Sequence, residues 1–342
     1  MPMADIPRDE RSVSDAEFLG ALDPNRRGLK KVLGLYGSGD LAGAKTALVE
    51  HFRSRKRPVW FFDARDGRRR RITPPWPENT QTGLDYRRRA DNALRHRLHL
   101  AGGPPWDFGK ALRWHTPEMR GLGSVPSILK RCNWMRDLAM AWAETGRKAY
   151  AKKLAELVDR WLDDWPLAVD AEFGPESALM SRCNGHKAMP TAFRVLSWLD
   201  VLYSGVLFAP GFPRATAYRL LKSMWFTAYQ YRRYRKSRYR PANHHLWERG
   251  VAPFIFGTML PEFPEVAKLV PQGIPAIVRH TRDSFLEDGC YEERSTSYTL
   301  GTLRMFMLPH RLERLNGTRL LGRAEAARLK RCGENAALIT LP

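Results

Sequence analysis

Residues 148–164 read KAYAKKLAELVDRWLDD. Ala151, Leu154, Leu157, Val158, Trp161 and Leu162 recur at the spacing of one helix face, with Lys, Glu and Asp filling the opposite face. Pro166 follows and predicts the stop. The same signature returns in both directions. Upstream, Trp134, Leu138, Ala141 and Trp142 predict a helix over 133–145, and residues 25–55 predict two short helices broken at Gly37-Ser38-Gly39-Asp40. The second of these has an apolar face of Ala42, Ala44, Ala47, Leu48 and Phe52. Downstream, helices are predicted over 189–204, 213–235, 244–260, 264–284, 296–316 and 322–333. Residues 56–130, rich in Pro, Gly, Arg and Trp, read as irregular loops, with 58–62 (PVWFF) the best strand candidate.

A succession of helices joined by short loops needs a mutual core. An all-α chain of this kind has two economical solutions, an α-solenoid or a closed (α/α) toroid of helical hairpins. No repeat consensus of about 34 or 40 residues is visible, which argues against the common solenoids. With 43% hydrophobic residues and 11 Trp among 342 residues, the chain can bury a substantial core, and global disorder is excluded.

Lys and Arg outnumber Asp and Glu by 57 to 36, a net charge of +21. The resulting positive field suits a polyanion: nucleic acid, an anionic lipid surface or an acidic polysaccharide. The four cysteines, at 132, 183, 290 and 332, form no CxxC pair, so they read as buried free thiols rather than a zinc site or a disulfide framework. No apolar run is long enough for a membrane span. The polar, acidic start, MPMADIPRDE, lacks the order of a signal peptide. Either the protein is cytoplasmic or the chain starts downstream of an export signal.

Two segments carry chemistry. The first, RPANHHLWE at 240–248, sets Asn243, His244 and His245 side by side at a predicted helix start. Asn243 is a good helix cap, and a capped helix start also aims donors at an anion. Glu248 stands one turn after His244 and His245 and can orient one of the imidazoles. HExxH is absent and no third ligand motif is visible, so no metal is predicted. The second segment, DGCYEERSTSY at 288–298, opens on a turn at Asp288-Gly289 and ends on Tyr298. Ser295 reads as the cap of the next helix, which places Tyr298 in its first turn. Packing is the ordinary use of such a Tyr; as an acid or base it needs cations nearby, for which Arg240 and Arg294 are candidates. The run from Tyr229 to Arg240 interleaves aromatics with cations, as a single-strand nucleic-acid platform does, and equally as the positive wall of a cleft.

These segments, NHHL…PEFP over 243–264 and then DGCYEERSTSY over 288–298, resemble the heparinase II/III-like polysaccharide lyases, a group that includes alginate and oligoalginate lyases. Leu41…Phe52-Arg53-Ser54-Arg55, Asn133-Trp134…Trp142 and the run from Ala192 to Leu199 support the likeness, which extends from about residue 20 to 335. The resemblance implies an (α/α) toroid over 21–335, preceded by a polar tail over 1–20. It also implies a β-sandwich that would begin where this chain stops, with 336–342 the start of the connection. A further catalytic His, and in some relatives a structural zinc, belong to that sandwich; no cofactor is implied for this chain. Asn243 and His244 would neutralise a uronate carboxylate and Tyr298 would shuttle the proton, with Arg240, His245, Glu248 and Arg294 as substrate contacts. Many relatives have Gln at the position of Arg294. Periplasmic or secreted localisation is implied as well.

Three functions follow: a lyase that cleaves a uronate-containing acidic glycan by β-elimination, a non-catalytic polyanion-binding toroid, and a nucleic-acid binder acting through 229–240. The lyase is the reading the residues favour.

Overall fold

The computed structural model describes residues 10–75, 85–100, 104–112, 114, 125–165, 167, 188–234, 243–292, 294–318 and 320–340. After α1 (Asp15–Gly20), α2 (Lys30–Gly37) and α3 (Leu41–Ser54) form a hairpin broken where Gly37-Ser38-Gly39-Asp40 predicts. Next come α4 (Tyr86–Ala93), α5 (Val125–Lys130), α6 (Asn133–Thr145), α7 (Lys148–Asp164), α8 (Ala188–Ser204) and α9 (Arg214–Tyr234). The chain continues through α10 (Asn243–Leu246), a π turn (Trp247–Val251), α11 (Ala252–Met259), α12 (Pro264–Ala267), α13 (Leu269–Asp283), α14 (Thr296–Asn316) and α15 (Arg323–Thr340).

Burial sorts these helices into two layers. In α6, residues 134–143 are all buried; in α8, 191–204; in α11, 252–259. Helices apolar or covered all round belong inside. They pack in sequence, α6 on α8, α8 on α11 and α11 on α14. Each has an outer partner: α7 against α6, α9 against α8, α13 against α11 and α15 against α14. The outer helices also touch one another, α7 to α9 and α13 to α15. α7 keeps a half-buried stripe, in which Tyr150, Ala151, Leu154, Leu157, Val158, Trp161 and Leu162 are buried, whereas α9 is buried throughout 223–231. This double row of hairpins is the (α/α) toroid. The ring is tied across its sequence ends: the Arg57 guanidinium donates to Leu315 O at 2.7 Å, and Val59 N–H donates to Asn316 Oδ1 at 2.7 Å.

Four expectations change. Residues 58–62 are irregular, with Trp60 buried and its Nε1 donating to Asp200 Oδ1 at 3.1 Å. The strands lie instead at β1 (Arg97–Leu98) and β2 (Trp106–Asp107), an antiparallel pair with Leu98 opposite Trp106. Residues 10–20 are no tail: Phe18 and Leu19 of α1 are fully buried, and Glu10 N–H donates to Leu167 O at 2.7 Å. The last helix does not stop at 333 but runs on to Thr340, through residues expected to begin a connection. Of the cysteines, Cys132 and Cys332 are buried, but Cys290 is partly exposed; Cys183 lies outside the described residues.

A buried ionic cluster fastens the corner between α11 and α12. Glu262 Oε2 accepts from Arg55 at 2.6 Å, and Oε1 meets His51 Nε2 at 3.0 Å and Arg26 Nε at 3.8 Å. Arg55 also donates to Met259 O at 2.9 Å and lies 4.4 Å over the Phe52 ring. Asp23 N–H donates to Glu262 O at 2.8 Å, so the cluster holds the N-terminal hairpin to this corner. Burial by itself raises the Glu262 pKa. The Arg55 charge and the hydrogen bonds from His51 and Arg55 outweigh it and hold the carboxyl at about 2.

Candidate active site

The helix expected over 244–260 is interrupted. Pro253 has no N–H to give to the carbonyl four residues back, and its ring crowds that carbonyl. The chain responds by widening: the Ala252 N–H bonds Trp247 O across a π turn over Trp247–Val251. One extra residue turns α10 by about 100° relative to α11. Asn243 is the first residue of this short helix, and Asn243 and His244 are described as backbone only. His245 follows, 8% exposed, and the π turn carries Glu248, also buried.

α13 crosses this region at very close range. A Cβ on Gly273 would stand 2.6 Å from Gly250 O and 2.9 Å from Phe254 N, and a Cβ on Gly250 would stand 2.8 Å from Ile277 Cγ1. Only glycine fits such an approach of two backbones. The contact brings His280 of α13, 1% exposed, against His245: Nε2 of His280 lies 2.8 Å from Nδ1 of His245. The other His280 nitrogen, Nδ1, lies 3.0 Å from Ser284 Oγ. His280 and Ser284 were missed in the sequence. The available signal was a His on the buried face that Leu269, Gly273 and Ile277 mark out on α13. The sequence offered Glu248 as a group orienting an imidazole; His280 is a further group set against the ring of His245.

From Ser284 the chain forms a tight loop that delivers Tyr298. Phe285 and Tyr291 pair as an isolated antiparallel bridge, both fully buried with ring centroids 6.0 Å apart. Asp288 Oδ1 accepts from Cys290 N–H at 2.8 Å, and Gly289 turns at φ 87°, where an added Cβ would stand 2.8 Å from Arg331 O. The predicted turn at Asp288-Gly289 is thus present. Arg294 is exposed and left-handed at φ 51°, its N–H donating to Tyr291 O at 2.8 Å. Ser295 caps α14 as predicted, its Oγ accepting from Tyr298 N–H at 3.4 Å. Tyr298 stands in the first turn of α14 with 49% of its surface exposed, so it is only half covered by its neighbours.

α14 packs against the π turn, so the fold brings the Tyr298 helix beside the segment that follows Asn243 and His244. Arg240 lies outside the described residues, as does 235–242. At the head of the aromatic and cationic run, Tyr229 and Tyr231 are buried, and their rings serve packing rather than base stacking. Among the described residues no group of three metal-ligating side chains occurs, and no helix is long and apolar enough to cross a membrane.

The motifs away from these segments resolve into interior contacts. Arg55, in the Phe52–Arg55 run, meets Glu262 of the 261–264 run in the buried cluster. Asn133 Oδ1 accepts from Ser197 Oγ at 3.1 Å, joining α6 to α8. Arg136 Nε lies 2.8 Å from Asp200 Oδ2 between the same helices.

The chain is 24% identical over 286 residues to a heparin-sulfate lyase of Pedobacter heparinus, an alignment covering 82% of this chain and 40% of the relative. It is 23% identical over 297 residues to a heparin-sulfate lyase of Bacteroides stercoris, covering 85% and 42%. It thus spans well under two thirds of either protein. Among solved structures, heparan sulfate lyase HepC of Pedobacter heparinus superposes with a TM-score of 0.74 at 20% identity, over 96% of this chain and 48% of that one. That likeness shows the shared helical fold. The family model for the heparinase II/III N-terminus matches residues 18–321, and the chain belongs to the heparinase II/III family.

Proposed function

We propose that this chain is the helical domain of a glycosaminoglycan lyase that cleaves a uronate-containing chain by β-elimination. Tyr298 carries the reading. It is a half-exposed phenol held by a capped first turn at the end of a tight loop. It stands on the helix that packs against the π turn after Asn243 and His244.

A uronate C5 proton is weakly acidic while the neighbouring carboxylate is charged. Donors that stabilise the enolate-like intermediate lower that barrier by several kcal/mol in comparable sites. In this reading Asn243 and His244 bind the carboxylate, Tyr298 takes the C5 proton and returns it to the departing 4-O oxygen, and an unsaturated uronate remains. Arg294, exposed four residues before Tyr298, contacts the anionic chain, and the +21 charge favours its approach. The heparin-sulfate lyases among the relatives point to a glucosamine–uronate polymer as the first substrate to try.

The test is ultraviolet absorbance of the unsaturated uronate when the protein is mixed with heparan sulfate, heparin, hyaluronan and alginate. Product is expected from at least one glycosaminoglycan and is expected to vanish in Tyr298→Phe, whose exposed ring makes the change harmless to folding. No product from any polymer, or an unchanged rate in Tyr298→Phe, overturns the reading. Binding that survives Tyr298→Phe and falls steeply with salt, with no product, would mark a polyanion-binding toroid instead.

A further inference from the structure

A thread of polar groups runs through the apolar contact between α13 and the π turn. His245, His280 and Ser284 are all buried, and they follow one another at 2.8 Å and 3.0 Å. Buried polar groups cost free energy unless each finds its partner, and an apolar pair would fill the same space at no such cost. The thread also has a defined logic. One proton serves the contact between the two rings. If His280 Nε2 carries it, His245 Nδ1 accepts, and the remaining proton of a neutral His245 sits on Nε2. Ser284 then donates to His280 Nδ1. If His245 Nδ1 carries it, both hydrogen bonds reverse, with Ser284 Oγ now accepting, and Nε2 of His245 becomes an acceptor. The direction of the hydrogen bond at one end of the thread is therefore coupled to the tautomer at the other.

The far end reaches the second segment. Ser284 O accepts from Glu292 N–H at 2.9 Å, and Tyr291 N–H donates to Thr299 Oγ1 at 3.3 Å, one residue beyond Tyr298. An unbroken series of hydrogen bonds and adjacent residues thus joins the residue after His244 to the residue after Tyr298.

We propose that His280 and Ser284 are positioning residues for this site. They fix the tautomer of His245 and hold the helix start bearing Asn243 and His244 in register with the loop that presents Tyr298. The inference rests on the eliminase reading above for its kinetic consequence, and on the geometry alone for its tautomeric one.

The experiment compares wild type, His280→Ala, His280→Gln and Ser284→Ala. On whichever glycan the wild type cleaves, His280→Ala is expected to lower kcat about 10- to 100-fold, the usual cost of removing a group that orients an active-site imidazole, with KM little changed. His280→Gln, whose terminal amide reaches the place of Nε2, is expected to recover a large part of that loss. Ser284→Ala is expected to fall between. Nitrogen-15 histidine spectra of the free proteins give a readout independent of turnover: one tautomer of His245 in wild type, and a mixture in His280→Ala. An unchanged kcat in His280→Ala overturns the kinetic claim, as does a loss that His280→Gln shares in full. An unchanged His245 tautomer in His280→Ala overturns the positioning claim. A wild type that forms no unsaturated product refutes the eliminase reading, while the spectra still decide the thread.

Discussion

Replacing Glu262 by Gln removes one negative charge from the cluster of Arg55, His51 and Arg26 and leaves its shape nearly intact. In the folded protein the carboxyl is held at about 2, against an ordinary value of 4.5. A depressed carboxylate stabilises the fold above its unfolded pKa and loses that contribution as pH falls toward its folded pKa. The difference is worth about 3 kcal/mol at pH 7 and less than half of that at pH 3. The glutamate side chain is 1% exposed and that of Arg55 is 3%, so solvent screening takes little away. An uncompensated buried guanidinium gives a similar figure by another route, about 3–5 kcal/mol for breaking such a pair. Urea titrations of wild type and Glu262→Gln at several pH values measure the effect. The variant is expected to unfold at markedly lower urea at neutral pH, and the two curves are expected to converge as pH falls from 5 toward 2. Comparing the two proteins at each pH cancels the titrating groups that do not interact with Glu262. A gap that stays constant across that range, or one below about 1 kcal/mol at pH 7, would show that packing and not the charge holds the corner.

Two further changes probe the site's framework. Gly273→Ala places a methyl 2.6 Å from a backbone oxygen that no rotamer can move; α13 must shift, and a loss of about 1–3 kcal/mol with a disturbed His245–His280 hydrogen bond is expected in urea unfolding and histidine spectra. Ser295→Ala removes the acceptor for Tyr298 N–H at the start of α14; about 1 kcal/mol of stability and a larger share of turnover are expected to go, since the first turn frays around the phenol.

The outer helices α7, α13 and α15 were legible because each turns one face to water. α7 shows its stripe directly, and its predicted and observed limits, Lys148–Asp164, are the same. The inner helix α11 gave length but no face: with residues 252–259 all buried, periodicity has nothing to report. That the hairpins form a toroid rather than a solenoid came from resemblance, and the packing agrees with it. The misses were of three kinds. α1 had a readable signal, the Ser14–Glu17 capping box followed by Phe18 and Leu19, hidden under an acidic composition. α4 buries Tyr86, Ala90 and Ala93 at helical spacing, but the run Arg87-Arg88-Arg89 between them reads as loop. The π turn had its cause in plain view at Pro253, yet its effect on where His245 and Glu248 point depends on α13, which only the fold brings near.

The loop before Tyr298 shows why the site segment differs in kind from the other motifs. Arg55, Glu262, Arg136, Asp200, Asn133 and Ser197 each have an interior partner, and their residue types follow from those contacts. The described residues of 288–298 bury one large side chain, Tyr291, and are costly to form. Arg294, with a full side chain, sits in the left-handed region at φ 51°, a conformation that costs about 1 kcal/mol or more outside glycine. Gly289 turns at φ 87° with its α-carbon pressed toward Arg331 O, so no other residue fits there. Asp288 and Ser295 spend their side chains on capping backbone N–H groups. All four devices determine where the next helix begins, and the residue that beginning exposes is Tyr298. Strain of that size, spent on where a half-exposed phenol stands, accords with the proposed role of Tyr298, in which the position of the phenol matters more than the stability of the loop that holds it.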